Sequence, residues 1–132
     1  MKKKPKTVSK LKHEADAIFS KYIRNKYAKD GYISCVTCGL SKPITEMQAG
    51  HYISRSCNAL RFDERNVFPQ CYGCNVGRGG NYPKFTIYLL QRFGQDHLTQ
   101  LDEDSKILKQ FKTFELTEII AEYKEKLAGL TA

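Results

Sequence analysis

Two Cys-x-x-Cys pairs, Cys35/Cys38 and Cys71/Cys74, are the strongest chemical signal in this chain. Four thiolates in two knuckles, separated by roughly thirty residues, form the ligand set of a closed tetrahedral zinc site. Free thiols and an iron–sulfur centre are the weaker readings of the same spacing. A lone Gly50-His51-Tyr52 lies between the pairs, and Asn75 directly follows the last thiol. A structural zinc needs neither. Imidazole titrates near neutral pH and can activate water, while an Asn carbonyl oxygen suits a hard divalent ion such as Mg2+ or Mn2+. Phosphodiester hydrolysis requires such a base and such an electrophile, together with help for the leaving 3′-oxygen. His51 and Asn75 therefore read as two halves of one catalytic site beside the zinc. The second knuckle is expected to open a helix, and the zinc would hold the His51 strand against it.

The elements that must carry these groups follow from composition and periodicity. At 132 residues and 41% hydrophobic, the chain predicts a single domain, 1–132, with a modest core for which a metal staple is useful. A formal charge of +8 and a pI near 9.3 point to an anionic partner, most simply nucleic acid. Residues 1–10 read as a basic flexible tail and 11–30 as an N-terminal helix. Its stripe is Leu11, Ala15, Ile18, Phe19, Tyr22 and Ile23, with Lys12, Lys21, Arg24 and Lys26 mostly off it. Residues 31–94 form the metal-bound core, whose short apolar runs Tyr32-Ile33, Tyr52-Ile53 and Val67-Phe68 suggest brief strands. Later in that segment Phe85, Tyr88, Leu89 and Phe93 share a helix face capped by Gly94.

Residues 95–132 read as C-terminal helices that serve packing. Leu101, Ile107, Leu108 and Phe111 give a weak pattern there, and Phe114, Leu116, Ile119, Ile120, Tyr123 and Leu127 a clear stripe. His13 and His97 have no ligand-spaced partner, and Cys57 reads as a small, partly buried residue. The opening lysines precede no apolar run, and no stretch approaches the roughly eighteen apolar residues of a membrane span. The expected location is the cytoplasm, where metal ligation prevails over disulfide formation.

The run Cys35-x-x-Cys38, Ala49-Gly50-His51-Tyr52-Ile53-Ser54-Arg55, Leu60-Arg61-Phe62-Asp63-Glu64-Arg65-Asn66, Gln70-Cys71-x-x-Cys74-Asn75 and Gly79-Gly80-Asn81 closely resembles the phage NinG (Rap) recombination-protein family. That family lies within the HNH, or His-Me finger, endonucleases. The resemblance covers about Phe19 to Gly94. It implies an α+β fold with a zinc-stapled ββα-metal (HNH) core and flanking N- and C-terminal helices. It further implies a metal-dependent endonuclease that cleaves branched DNA, such as a Holliday junction, or single-strand-containing DNA. In that frame His51 is the general base, Asn66 braces the loop carrying it, and Asn75 ligates the catalytic ion.

One position departs from the wider pattern. Many HNH enzymes place Asp before the base as a second ion ligand, and Gly50 offers none. Glu46, Asp63, Asn81, His51 itself, or DNA phosphate and water could complete the shell. Arg55, Arg61, Arg65 and Arg78 cluster in sequence around the site as candidate phosphate contacts, with Asp63 and Glu64 placed to orient them. Recombination proteins are further candidate partners, and a homodimer is compatible with the chain. A different class of function is a non-catalytic zinc module that binds DNA or such a protein. Either class predicts phosphate-dominated DNA binding. About five or six neutralised phosphates should give a log–log salt slope near −5 on duplex DNA. An affinity unchanged between low and physiological salt would contradict it.

Overall fold

The computed structural model describes residues 4–131. Thr7 starts the first helix, α1 (Val8–Lys26), its hydroxyl accepting the Lys10 N–H at 3.1 Å. The helix thus begins three residues before the expected position 11, and Lys6 reaches along it to Glu14 at 2.5 Å. Lys2 and Lys3 of the expected basic tail lie outside the described residues. At the other end α1 stops at Lys26 rather than 30. Asp30 and Gly31 take left-handed backbone, φ 53° and 81°, and turn the chain into the first hairpin. The expected stripe is the buried face: Leu11, Ala15, Phe19, Tyr22 and Ile23 are all buried.

Two small antiparallel sheets follow. β1 (Tyr32–Ser34) pairs with β2 (Ser41–Pro43), and the Cys35–Cys38 knuckle forms the turn between them. β3 (Met47–His51) pairs with β4 (Val67–Cys71), in a register that sets His51 opposite Val67 and Met47 opposite Cys71. The expectation of a strand at Tyr52-Ile53 is corrected: the strand precedes His51 and ends there. The buried Asn66 amide binds both the N–H and the C=O of Ile53, so that residue's backbone groups are not free to extend a ladder. β2 has no apolar alternation, which is why periodicity missed it.

The second knuckle opens a single helical turn, Gly73–Gly77, that carries Asn75. It does not run on into a longer helix, because Gly79, Gly80 and Asn81 have φ of 56°, 102° and 49°. Three helices then follow: α2 (Tyr82–Phe93), α3 (Gln95–Ser105) and α4 (Thr113–Thr131). Gly94, at φ 89°, separates the first two. Ile107 and Leu108 fall in the non-helical link before α4 and are exposed, so that weak pattern does not mark a buried face. No helix among the described residues is long and apolar enough to cross a membrane.

Packing is divided among small clusters. Phe19, Tyr22, Ile23 and Val67 meet Tyr123 of α4, with Phe19 and Tyr123 edge to face at 4.9 Å. Leu11 and Ala15 meet Leu116 and Ile120, so α4 lies along α1. Phe68 of β4 packs on Phe85 and Leu89 of α2. Fully burying one such Phe or Leu contributes about 1.5–3 kcal/mol, and the short central strands carry few of them.

Sulfur fills the remaining gap. The ligand atoms of Cys35, Cys38, Cys71 and Cys74 all lie within 4.8 Å of one another and join the β1–β2 hairpin to the end of β4. These four cysteines could bind a metal such as zinc. Burial opposes the Cys35 thiolate, but hydrogen bonds from the Thr37 hydroxyl and nearby backbone bring its pKa down to about 6. The backbone bond at Leu40 favours the Cys38 thiolate, yet burial and the three neighbouring sulfurs drive that thiol up to about 12. Zinc removal, or Cys71→Ser, should abolish cooperative melting of the central region, followed by thermal denaturation with elemental analysis. Melting unchanged by either treatment would show that the cluster is not a staple.

Candidate active site

A cavity of about 610 Å³ lies between α1, β3 and the segment from the second knuckle to the start of α2. His51 and Asn75 both line it, as does Arg55. The structure therefore brings together the two residues that spacing paired, from opposite ends of the β3–β4 hairpin. Asn66, Arg61, Arg65 and Arg78 do not line it.

His51 is held through its ring. Nε2 lies 2.9 Å from the Arg61 carbonyl oxygen. A carbonyl only accepts, so Nε2 carries the proton and the lone pair falls on Nδ1. Burial lowers the imidazole pKa from its ordinary value. Burial outweighs the opposing pull of the Arg61 carbonyl and of Asp16, and the Arg55 and Arg61 charges add a smaller push in its direction. A neutral ring with Nδ1 unprotonated is the form a general base needs.

The loop that supplies this carbonyl is fixed from inside by Asn66. Its Oδ1 accepts the Ile53 N–H at 2.8 Å, and Nδ2 donates to the carbonyls of Ile53 at 2.9 Å and Leu60 at 3.2 Å. Asn66 is fully buried, and these three bonds satisfy its amide. Arg61 is fixed from outside. Its Nε and Nη2 fork onto Asp16 at 2.9 and 2.5 Å, and Nη1 donates to the Arg55 carbonyl. That guanidinium is occupied within the fold. Arg65 is likewise shared between Asp63 and Asp104. Arg55 keeps a mostly exposed side chain with one loose approach to Asp16 at 3.8 Å, and Arg78 is exposed with no ion pair among the described residues.

Asn75 donates through Nδ2 to Gln48 Oε1 at 2.7 Å, and its own Oδ1 accepts no hydrogen bond among the described residues. Gln48 and Asn75 both line the cavity. Gly50 has a steric reason. A Cβ there would lie 1.9 Å from Gln70 Oε1, so no Asp fits while Gln70 stands. Gln70 is itself fully buried. It donates to Thr37 Oγ1 at 3.1 Å and to the Gly80 carbonyl at 2.8 Å, while its Oε1 has no partner.

None of Glu46, Asp63 and Asn81 lines the cavity. Glu46 is exposed, Asp63 holds Arg65, and the left-handed Asn81 donates to Cys74 Sγ. Gln48 is the oxygen that sequence reasoning missed. Its signal was strand period two, which places it on the same face as Gly50. Asp16, Ser20 and Arg24 were missed as well. They recur every four residues along α1 and form one wall of the cavity.

The other groups serve packing. His97 Nε2 donates to the Arg65 carbonyl and the ring stacks on Phe93 at 4.4 Å, and half-buried Cys57 lies 3.6 Å from the Ser105 carbonyl. His13 is exposed on α1.

The family model for the bacteriophage lambda NinG protein matches residues 1–132. The chain is 32% identical to the ninG protein of Salmonella phage P22 over 118 residues, which covers 89% of this chain and 56% of that protein. It is 30% identical over 118 residues to the ninG proteins of Escherichia phage lambda and Escherichia phage 933W, with the same share of this chain and 55% and 56% of theirs. The chain thus spans about half the length of the curated relatives it matches. No solved structure matches it. With its whole length matched, the chain belongs to the bacteriophage lambda NinG family.

Proposed function

We propose that this chain is a divalent-metal-dependent DNA endonuclease of phage recombination that cleaves branched or single-strand-containing DNA. One observation carries the reading: His51, with its lone pair on Nδ1, and Asn75, with an unpartnered carbonyl oxygen, line the same cavity. The β3–β4 hairpin followed by the Asn75 turn, closed by four cysteines, is consistent with a ββα-metal core of the HNH type. Zinc is the metal proposed for the cysteines. The preference for branched DNA rests on the family resemblance, as does a working place in the cytoplasm of the phage's host.

The residues divide the chemistry as follows. His51 Nδ1 accepts a proton from the attacking water, while the Arg61 carbonyl keeps the other nitrogen protonated. Asp16 and Asn66 hold that carbonyl in place, which fixes the ring without contact with DNA. Asn75 Oδ1 and Gln48 Oε1 are hard oxygen donors that suit Mg2+ or Mn2+. When bound, such an ion would neutralise charge on the phosphate and stabilise the leaving 3′-oxygen. Arg55 faces the cavity as a phosphate contact, and exposed Arg78 offers another outside it. The non-catalytic alternative draws on Gly50, because a site with two neutral amides and no carboxylate before the base holds an ion weakly.

A nicking assay with Mg2+ or Mn2+ on junction, flap and duplex DNA separates the two. His51→Ala should preserve folding and DNA binding while lowering cleavage by about a hundredfold or more. Asn75→Ala should lower cleavage with partial rescue at raised ion concentration. Equal cutting by wild type and His51→Ala would remove His51 as the base, and a wild type that cuts nothing would favour the binding module. The pH profile adds a signed expectation. The base works only unprotonated, and burial lowers the His51 pKa. The acid limb of kcat/KM should therefore lie below the ordinary imidazole midpoint of about 6.5. A limb above that value would contradict the assignment.

A further inference from the structure

Arg24 is a half-buried cation on the wall of the cavity. It sits on the cavity-facing row of α1, eight residues after Asp16 and four after Ser20, and all three line the same cavity as His51 and Asn75. Its Nε donates to the Ser20 carbonyl at 3.3 Å and its Nη1 to the Ile44 carbonyl at 3.2 Å. Both acceptors are neutral. No ion pair to Arg24 occurs among the described residues, and burial alone lowers its pKa from the ordinary value. Nη2 donates to no partner among the described residues.

The contrast with the neighbouring arginines is informative. Arg61 is matched by Asp16, and Arg65 by Asp63 and Asp104. The chain therefore supplies carboxylates where an arginine serves the fold. At Arg24 it supplies two carbonyls that aim the group and no charge that satisfies it. A half-buried guanidinium without a counter-ion keeps N–H groups free to meet an anion. Asp16, the one acid on the wall, is already forked by Arg61, so Arg24 and Arg55 leave the cavity positive. A planar fork with free N–H groups matches two non-bridging oxygens of a phosphodiester.

We propose that Arg24 is the phosphate-binding residue of this cavity, holding the phosphodiester against His51 and Asn75, with α1 as the wall along which the DNA backbone lies. Arg24 acts on the substrate directly rather than through another residue. The proposal deepens the nuclease reading and rests on it for the identity of the reaction, although not for the binding of phosphate.

The test compares the full chain, Arg24→Gln and Arg24→Lys, using inorganic phosphate and DNA as probes. Inorganic phosphate should raise the melting temperature of wild type and not that of Arg24→Gln. Without phosphate, Arg24→Gln should melt close to wild type, because the half-buried guanidinium has no ion pair among the described residues to lose. Its log–log salt slope for DNA should be shallower by about 0.9, the value of one phosphate contact. Its kcat/KM for cleavage should fall by roughly a hundredfold. Arg24→Lys, which keeps charge but loses the fork, should keep the salt slope and still cleave poorly.

Unchanged phosphate stabilisation and an unchanged salt slope in Arg24→Gln would overturn the proposal, whether or not the wild type cleaves. A wild type that does not cleave, yet shows Arg24-dependent phosphate binding, would overturn the nuclease reading alone. If Arg24→Gln fails to fold, Arg24→Lys decides: full cleavage by it overturns the proposal, and poor cleavage with the salt slope kept supports it.

Discussion

Four sulfur atoms set the geometry on which the rest of this protein depends. They lie within 4.8 Å of one another and tie the first hairpin to the end of β4, in a region whose strands are three to five residues long. Strands that short bury too little apolar area to hold a unique register by themselves. The cluster also reaches toward the cavity by hydrogen bonds. Gln70 Nε2 donates to Thr37 Oγ1, which frees the Thr37 proton for Cys35 Sγ, and the same amide donates to the carbonyl of Gly80 on the cavity wall. The cluster is thus linked through Gln70 to Gly50, the residue next to His51 in β3, against which Gln70 is packed.

The second constraint is electrostatic and lies on the other side of β3. Asp16 takes the full fork of Arg61, and the carbonyl of that same residue takes the proton of His51 Nε2. Helix α1, which periodicity presents as a packing element, therefore fixes the tautomer of an imidazole on a strand. Its apolar face meets α4 while its polar row faces the cavity. Each of these long-range bonds closes a loop, and Asn66 closes the one between them from its interior.

The division of charge among the arginines follows the same logic. Arg61 and Arg65, forked by carboxylates, hold loops, whereas Arg24 has no ion pair among the described residues. Net charge alone, +8, says only that an anion is favoured. Which guanidinium meets it depends on where the fourteen acidic residues fall in space.

The sequence by itself determined what local spacing encodes. The two knuckles, the apolar faces of α1, α2 and α4 and the Gly94 break were legible because each is a matter of residue type at fixed short offsets, and His51 was placed with Asn75 because the two knuckles bracket one and precede the other. The family was legible too, since several motifs in order carry it. Tertiary structure alone decided the partners. It spent Arg61 and Arg65 on Asp16, Asp63 and Asp104, set Gln48 rather than Glu46, Asp63 or Asn81 beside Asn75, and filled the space at Gly50 with Gln70. It also ended β3 at His51, because Asn66 claims the backbone of Ile53 from thirteen residues away. Those outcomes come from side chains far apart in the chain competing for the same donors, acceptors and volume. Nothing in a local window records who wins that competition.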